Sequence, residues 1–353
     1  MLVSRKPQHV AVTSVIATNF SLDAVLGKMA VPTPTERARK KKQHVVPQSY
    51  LRAWVDNGDQ LRAIMREPKK PDRDFLVINV RDAASQNYFY AVRGADGAPL
   101  DDVEDALSVF DDLVPGIVRR ATVDAMHSKI TVGNLKYMYA NFAARNELGR
   151  DMLVEHVAAM RAKAECMFEA EFPDRSALDN ADLVDGLMRA VWEHPAHYAS
   201  DPETISRLAI VPKADDLYNA MPKYACVLES EEVEFFTSDA PFGSFDPHNP
   251  PEGSGVYGPA FDDPRVELTL PLGRRHAVLF ANVPMPLRAT ISPAGAAVIN
   301  ARTVFFSRRS IYTHNSEEAT NLAWFLIEHY RDCYHKPLLD AVEEENARVG
   351  AAG

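Results

Sequence analysis

Residues 40–54 read Lys-Lys-Lys-Gln-His-Val-Val-Pro-Gln-Ser-Tyr-Leu-Arg-Ala-Trp and combine a basic lead, a histidine and a proline that suits a helix start. Pro47 fits the first helical position, because its missing N–H is not needed there and its φ is already helical. We therefore predict a short helix over about 47–55, ended by the turn residues 56–59. Leu51, Trp54 and Val55 then share one face, which predicts that this face is buried.

The patterns on the C-terminal side of this stretch predict an α+β fold. Strands are predicted over 61–65, 75–80, 87–92, 224–229, 233–237, 266–270 and 276–281, with 224–237 forming a hairpin. Helices are predicted from Asp101 and over 132–146, 150–172, 180–192, 296–306 and 316–334. Because strands do not alternate with helices, we expect a helical block inserted between N-terminal strands and a C-terminal, mainly antiparallel sheet.

The predicted organisation is one domain over 40–335, with the helical block at about 101–220. We expect a disordered leader over 1–39, since termini are often poorly ordered, and a C-terminal tail over 336–353. Between 239 and 264 the chain is rich in proline and glycine, which is typical of a long functional loop.

Composition narrows the class of protein. The chain has 353 residues, of which 46% are apolar and 25% charged, as in soluble globular proteins. No apolar run approaches the roughly 20 residues of a membrane-spanning helix, so no membrane association is expected. Three cysteines without a C-x-x-C pair fit a reducing compartment, and the cytoplasm is the expected location.

The net charge of −10 argues against nucleic-acid binding over the whole surface, since phosphates are held by lysine and arginine. The net charge alone does not exclude a local basic groove. Its candidate residues are Arg145, Arg274, Arg275, Arg308 and Arg309.

His44 is the first candidate catalytic residue. It precedes the helix that Pro47 begins, where backbone N–H groups disfavour a positive charge and so favour a neutral imidazole. A neutral imidazole can act as a general base or a metal ligand. The alternative is a histidine that binds a backbone carbonyl and only fixes the course of the chain.

Asp239 is the second candidate catalytic residue. It lies in Thr237-Ser238-Asp239-Ala240-Pro241, just after a predicted strand, and Pro241 favours extended backbone before it. Polar residues on a stiff loop beside a strand are common in functional sites. Alternatively, Asp239 accepts local backbone N–H groups in an Asx turn.

Arg145 and Asn141 are spaced by four residues on a predicted helix, so both project from one face. Arg145 could bind a phosphate or carboxylate with two parallel hydrogen bonds, or it could neutralise Asp239 or Glu104 inside the fold. Arg145 is the third candidate catalytic residue. The candidate substrate-binding residues are Asn141, Ser238 and Gln48.

Two of these motifs resemble those of a known family. The pattern K-x-H-x-x-P-x-x-Y-L-R-x-(aromatic) at Lys42–Trp54 and the T-S-D-x-P run at 237–241 are similar to motifs of the bacterial and phage proteins grouped as domain of unknown function 4238 (DUF 4238). The N-x-x-x-R spacing is also similar, and Trp54 stands where related sequences often have phenylalanine. The resemblance extends from about Lys40 to Tyr330 and implies a family without an agreed chemistry, while favouring a functional role for His44.

Two hypotheses from different classes follow. In the first, the chain is a metal-assisted hydrolase or nuclease in which His44 and Asp239 converge and Arg145 holds a phosphate. In the second, it is a non-catalytic binding or regulatory protein whose polar motifs clamp the N-terminal helix to the C-terminal sheet. The sequence identifies no metal, cofactor, ligand or protein partner for either hypothesis.

Overall fold

The structure is a computed structural model. It describes residues 42–55, 58–66, 75–93, 99–100, 102–123, 129–171, 210–247, 259, 261–339 and 342. The predictions for the leader over 1–39 and for the helix over 180–192 lie outside these residues.

The described strands form two larger sheets and two small ribbons. The strands are β1 (Lys42–His44), β2 (Gln60–Met65), β3 (Leu76–Asn79), β4 (Ser85–Asn87), β5 (Val92–Arg93), β6 (Pro99–Leu100), β7 (Tyr224–Glu229), β8 (Thr237–Ser238), β9 (Gly243–Phe245), β10 (Glu267–Pro271), β11 (His276–Ala281), β12 (Arg288–Thr290) and β13 (Ser310–Thr313). One sheet has the order β12-β7-β11-β10-β9, antiparallel except for β12–β7, and the other the antiparallel order β3-β2-β13-β8. β1 pairs with β4, and β5 pairs with β6.

The described helices lie mostly between the N-terminal and C-terminal strands. They are α1 (Gln48–Leu51), α2 (Asp102–Asp111), α3 (Val114–Thr122), α4 (Lys129–Arg145), α5 (Glu147–Glu171), α6 (Ile210–Ala220), α7 (Pro293–Phe306) and α8 (Glu317–His329). The α2–α6 segment forms the helical block. The predicted α+β fold, with a helical block inserted before a mainly antiparallel C-terminal sheet, is confirmed.

The opening stretch packs against the C-terminal half of the chain. α1 is one turn long and continues as a 3₁₀ turn over Arg52–Trp54, so the predicted helix is shorter and tighter than expected. The indole Nε1–H of Trp54 donates to the carbonyl of Phe235 at 2.7 Å. The hydroxyl of Tyr50 donates to the carbonyl of Pro271 at 2.7 Å and accepts from the hydroxyl of Thr237 at 3.2 Å.

Two strand predictions are wrong, each for a local reason. The chain leaves β4 after Asn87, because Tyr88 has a φ of 55° in the left-handed region that ends an extended strand. Residues 233–236 form no strand beside β7. Their backbone pairs instead with the amide side chain of Asn300, which accepts from Phe236 N–H at 2.8 Å and donates to the carbonyl of Glu234 at 2.9 Å.

Both faces of the five-stranded sheet are covered. Along β7, Val227 belongs to the main core while Cys226 and Leu228 belong to a second cluster on the opposite face. That second cluster includes Leu338 and Val342, which are also buried. The folded core therefore continues past the predicted domain boundary at residue 335, into the segment expected to be a tail.

None of the helices in the described ranges is both long and apolar enough to cross a membrane.

Candidate functional site

His44 ends β1, opposite Ser85 of β4. Its Nε2 lies 3.0 Å from the carbonyl oxygen of Arg81. Since a carbonyl only accepts, the neutral ring carries its proton on Nε2 and its lone pair on Nδ1. Burial lowers the pKa of His44, and the positive charges of Lys42 and Arg145 lower it further. The hydrogen bond to the Arg81 carbonyl and the negative charge of Asp111 raise the pKa, but by less. The lowered pKa favours the neutral imidazole, with burial rather than the helix start as the main cause, and the contact with Arg81 is the backbone contact of the structural alternative.

Arg145 lies at the end of α4 and has no exposed surface. Its Nη1 donates to Asp111 Oδ1 at 2.7 Å, and Asp111 is the last residue of α2. Burial lowers the pKa of Arg145, but Asp111, Tyr90 and Glu104 together raise it by more, so the pKa lies above its usual value. Arg145 is thus a buried cation with one carboxylate partner.

The remaining donor edge of Arg145 is not used within the part of the chain that the structure describes. Neither Nε nor Nη2 has a hydrogen-bond partner there, and the amide oxygen of Asn141 has none either. The ring of Phe142 lies 5.3 Å from Arg145 Cζ. Nε and Nη2 form the edge with which a guanidinium binds a carboxylate or phosphate through two parallel bonds.

Tyr90 connects the backbones of the two candidates. Its buried hydroxyl lies 3.4 Å from the carbonyl oxygen of His44 and 3.3 Å from that of Arg145. On the other side, Ser49 of the opening stretch donates to the carbonyl of Asp111 at 2.8 Å. These contacts place His44, Asp111 and Arg145 in one polar cluster, with Asn141 one helical turn before Arg145.

Asp239 follows β8 and is held by the loop before β13. Its Oδ1 accepts from the backbone N–H of Arg308 at 3.0 Å and its Oδ2 from that of Arg309 at 2.8 Å. Burial raises the pKa of Asp239 to about 6, although these backbone hydrogen bonds favour the charged form. Asp239 therefore has the backbone partners of the structural alternative, supplied by residues distant in sequence rather than by an Asx turn.

A cavity of about 220 Å³ adjoins Asp239. Its lining residues come from β2, β3, β4 and β13, from the segments that follow β1, β3 and β8, and from the loop before β13. They are Val45, Ala63, Met65, Leu76, Ile78, Asp82, Ala84, Ser85, Gln86, Asp239, Arg308, Arg309, Ser310 and Tyr312. Val45 lines this cavity and the preceding residue, His44, does not.

The structure therefore groups some of the predicted site residues and separates others. His44, Arg145 and Asn141 share one region. No hydrogen bond or ion pair within the described residues joins His44 or Arg145 to Asp239. Nor do the side chains of these three residues hydrogen-bond one another within the described ranges.

Ser238 and Gln48 differ in their surroundings. The Ser238 side chain is buried and accepts from the backbone N–H of Ala240 at 3.1 Å, which stabilises the turn into Asp239. Gln48 is half-buried at the start of α1, and its amide makes no side-chain hydrogen bond to the described part of the chain. Of these two predicted substrate-binding residues, Ser238 therefore has a hydrogen bond within its own turn.

The predicted basic groove does not arise from its candidate arginines. Arg274 and Arg275 both pair with Glu234, and Arg308 pairs with Asp151 at 3.5 Å. Arg145 is paired with Asp111. Four of the five candidate arginines are thus balanced locally by a carboxylate. Nor do three or more His, Cys, Asp or Glu side chains of the described ranges come together as a metal-binding group.

Sequence reasoning missed Asp111 and Tyr90. Asp111 carried a signal, because an acid at a helix C-terminus lies at the negative end of the dipole and needs a compensating cation. The sequence carried no such signal for Tyr90, because the position of Tyr90 depends on the left-handed turn at Tyr88, which removes Tyr90 from the predicted strand.

Comparison with protein-family models gives one match, to the family described as "Protein of unknown function (DUF4238)", over residues 42–317. The comparisons with curated proteins and with solved structures gave no match.

Proposed function

We infer that this chain, which belongs to the DUF4238 family, is a hydrolase of anionic substrates whose working side chains are His44, Arg145 and Asn141. The observation that supports this most directly is the buried Arg145, whose Nε and Nη2 have no partner within the described residues. A desolvated cation with unused donors gains more from an incoming anion than a solvated one, because its donors have no water to give up.

Each side chain has a role that its surroundings support. His44 is neutral with its lone pair on Nδ1, so it can take a proton from water as a general base. The water oxygen then bonds to the phosphorus or carbonyl carbon, and the leaving group departs with the electron pair of the broken bond. Arg145 would hold the anionic oxygens, and the amide oxygen of Asn141 would accept from a substrate O–H or N–H.

Access to this cluster requires movement. Arg145 has no exposed surface, whereas His44 is half-buried and can meet solvent. Binding would therefore begin at His44 and would require Phe142, which lies against the guanidinium, to shift. Side-chain rearrangement on this scale is common on ligand binding.

The test is hydrolysis by the purified full-length chain. The panel contains p-nitrophenyl phosphate, bis(p-nitrophenyl) phosphate, p-nitrophenyl acetate, and single-stranded and duplex DNA and RNA. Each substrate is assayed with EDTA and with added Mg²⁺, Mn²⁺ or Zn²⁺, which tests the metal-assisted and nuclease forms of the predicted hydrolase. We expect turnover of an anionic phosphate ester and a loss of about 100-fold or more in His44→Gln, the usual range for a general base.

A second half-buried histidine provides the control. His276 also has a pKa lowered by burial, but its Nε2 already lies 3.1 Å from Arg288 Nη2. His276→Gln should retain activity. If His276→Gln and His44→Gln lose activity equally, or if no substrate is hydrolysed under any condition, the hydrolase proposal is wrong.

The alternative is a non-catalytic binding or regulatory protein. It is favoured by the contact of Tyr50 with Thr237, which joins the family's two motifs within the fold, and by that of Trp54 with Phe235, two residues before the second motif. It is also favoured by the two backbone hydrogen bonds that Asp239 accepts. On this hypothesis His44→Gln lowers the free energy of unfolding and no substrate in the panel is turned over by the wild type.

Both hypotheses give Asp239 a role, and the two roles differ. In the hydrolase, Asp239 would supply a second carboxylate from the neighbouring cavity. In the binding protein, it would stabilise the loop before β13.

A further inference from the structure

We propose that the cavity lined by Asp239 is a binding site for a small organic amine, in which Asp239 accepts from the ammonium group and the β2–β3 face contacts an apolar body. This site is separate from the His44–Arg145–Asn141 cluster, and its test does not measure turnover. Asp239 is the residue that this site shares with the proposed hydrolase, and amine binding and turnover are measured separately, so that the failure of one proposal is distinguishable from the failure of the other.

The walls of the cavity are mainly apolar. Val45, Met65, Leu76 and Ile78 face its interior, together with Ala63 and Ala84. Its volume of about 220 Å³ far exceeds the roughly 10–15 Å³ that a single water molecule needs. Cavities with apolar walls and a few convergent polar groups are typical of small-molecule sites.

The polar groups of the cavity favour a ligand that donates hydrogen bonds. Each carboxylate oxygen of Asp239 accepts one backbone N–H, and a carboxylate oxygen has room for a second hydrogen bond. The Tyr312 hydroxyl accepts from the N–H of Ala84 at 2.8 Å. Burial raises the pKa of Tyr312 above its usual value, with the Asp239 charge adding to this, so the hydroxyl stays protonated.

An anionic ligand is disfavoured by the same contacts. The N–H groups of Arg308 and Arg309, which could cradle an anion, are already occupied by Asp239. The side chain of Arg308 pairs with Asp151 at 3.5 Å. The other carboxylate of the lining, Asp82, is 43% exposed and contacts Lys42, so this acid and base balance one another.

The edge strand β3 supplies a matched pair of variants. Leu76 and Ile78 line the cavity, whereas Val77 between them points to the opposite face and is 48% exposed. A tryptophan at residue 76 would fill the cavity, and one at residue 77 would remain in solvent. Because β3 is at the edge of its sheet, both variants should fold.

Calorimetric titration of the full-length chain at pH 7.5 with benzylamine, benzyl alcohol and benzoate tests the proposal. We expect benzylamine to bind about tenfold more tightly than benzyl alcohol, because a charge-assisted hydrogen bond is roughly twice as strong as a neutral one, and benzoate to bind least. Leu76→Trp should weaken benzylamine binding by about tenfold or more, and Val77→Trp should leave it unchanged.

Asp239→Asn adds a second, independent measurement. If this variant folds, as judged by circular dichroism, it should bind benzylamine no better than benzyl alcohol. If Asp239→Asn does not fold, the comparison of Leu76→Trp with Val77→Trp still tests the proposal. Tighter binding of benzoate than of benzylamine, equal effects of the two tryptophans, or no benzylamine binding would each overturn the proposal.

Discussion

Two arginines have no exposed surface among the described residues, and their surroundings differ. Arg302 donates through Nε to the carbonyl of Tyr334 at 3.0 Å and through Nη2 to Glu267 at 2.6 Å and to the carbonyl of Lys336 at 2.9 Å. Arg145 has Asp111 and an unused edge. The first arrangement is that of a structural ion pair, and the second leaves two buried donors without a partner among the described residues.

Removal of these two arginines should therefore have unequal effects on stability. Arg302→Met leaves Glu267 charged without exposure to water, and we expect the free energy of unfolding to fall by about 3–5 kcal/mol. Arg145→Met leaves Asp111, whose side chain is 23% exposed and can be partly rehydrated, so we expect a loss of roughly 1–3 kcal/mol. Urea unfolding of both variants measures the difference. An Arg145→Met loss as large as that of Arg302→Met would contradict this reading of Arg145.

Asp239 should make stability depend on pH. Its pKa in the folded chain is about 6, above the ordinary 3.8, so the folded state binds a proton more tightly than the unfolded state does. The stabilisation from this group is fully present below pH 3.8 and is lost as the pH rises through about 6, to a maximum of about 3 kcal/mol. Asp239→Asn should flatten the wild-type decrease between pH 4 and 7.

Asp215 provides the comparison for that measurement. Burial also raises its pKa to about 6, so Asp215→Asn should remove a separate share of the same pH dependence. Urea unfolding at several pH values resolves the two contributions. If the Asp239→Asn variant keeps the full wild-type slope while Asp215→Asn removes it, the titration belongs to Asp215 alone.

At the residue scale, the spacing of residues predicted which side chains share a helix face but not which carboxylate pairs with Arg145. The four-residue interval placed Asn141 and Arg145 on one face of a helix, as the sequence indicated. Asp239 or Glu104 was the partner expected for Arg145 if its role is structural, whereas its hydrogen-bonded carboxylate is Asp111. Partner choice depends on how helices pack against each other, and a single sequence does not encode that in any local pattern.

At the scale of elements, α1 and its 3₁₀ turn act as a connector between distant parts of the chain. The aromatic rings of Tyr50 and Trp54 lie 5.0 Å apart, and each side chain also hydrogen-bonds a C-terminal backbone carbonyl. The recognisable part of the opening stretch therefore serves packing, while His44 before it faces the polar cluster.

Trp54→Phe tests the hydrogen bond in this connector. The substitution keeps an aromatic ring but leaves the buried carbonyl of Phe235 without its donor, so we expect a loss of about 1–3 kcal/mol in the free energy of unfolding. Trp324→Phe is the matched control, because the Trp324 Nε1 has no hydrogen-bond partner in the described ranges. Thermal and urea unfolding should show Trp324→Phe close to the wild type. Equal losses in the two variants would mean that ring volume, not the hydrogen bond, is responsible.

Strand prediction succeeded where burial and turn residues agreed. β7 and β11 have the predicted bounds, because each is a run of five apolar residues with a polar residue at one end and a polar turn beyond it. Residues 233–236 have the same local pattern, but their backbone hydrogen-bonds to the Asn300 side chain of α7 and to the carbonyl of Arg274 in place of a neighbouring strand. A side chain that replaces a strand leaves no periodic signal in the sequence.

At the scale of the whole molecule, the C-terminal segment completes the core. The backbone N–H groups of Leu338 and Leu339 both donate to Glu267, at 3.0 and 3.1 Å respectively. Leu338 has no exposed surface, and Val342 is 2% exposed. The Arg302–Glu267 pair thus depends on residues beyond 335.

Truncation measures this dependence. A chain ending at residue 335 loses the backbone donors to Glu267 and the burial of Leu338 and Val342, and we expect a loss of at least about 3 kcal/mol, since each buried aliphatic side chain contributes roughly 1.5–3 kcal/mol. A chain ending at residue 345 keeps these residues and should match the wild type. Urea unfolding compares the three lengths, and a wild-type value for the shorter chain would show that the segment is dispensable.

The sheet β3-β2-β13-β8 has a consequence for biosynthesis. β2 pairs with β13, and Met65 lies opposite Ser310, 245 residues later in the chain. At about 5–20 residues per second, a ribosome needs roughly 10–50 s to travel between them. During that interval the edge of β2 that β13 will cover has no partner, while the helices between can already fold. Nascent chains should therefore depend on chaperones until the second half emerges.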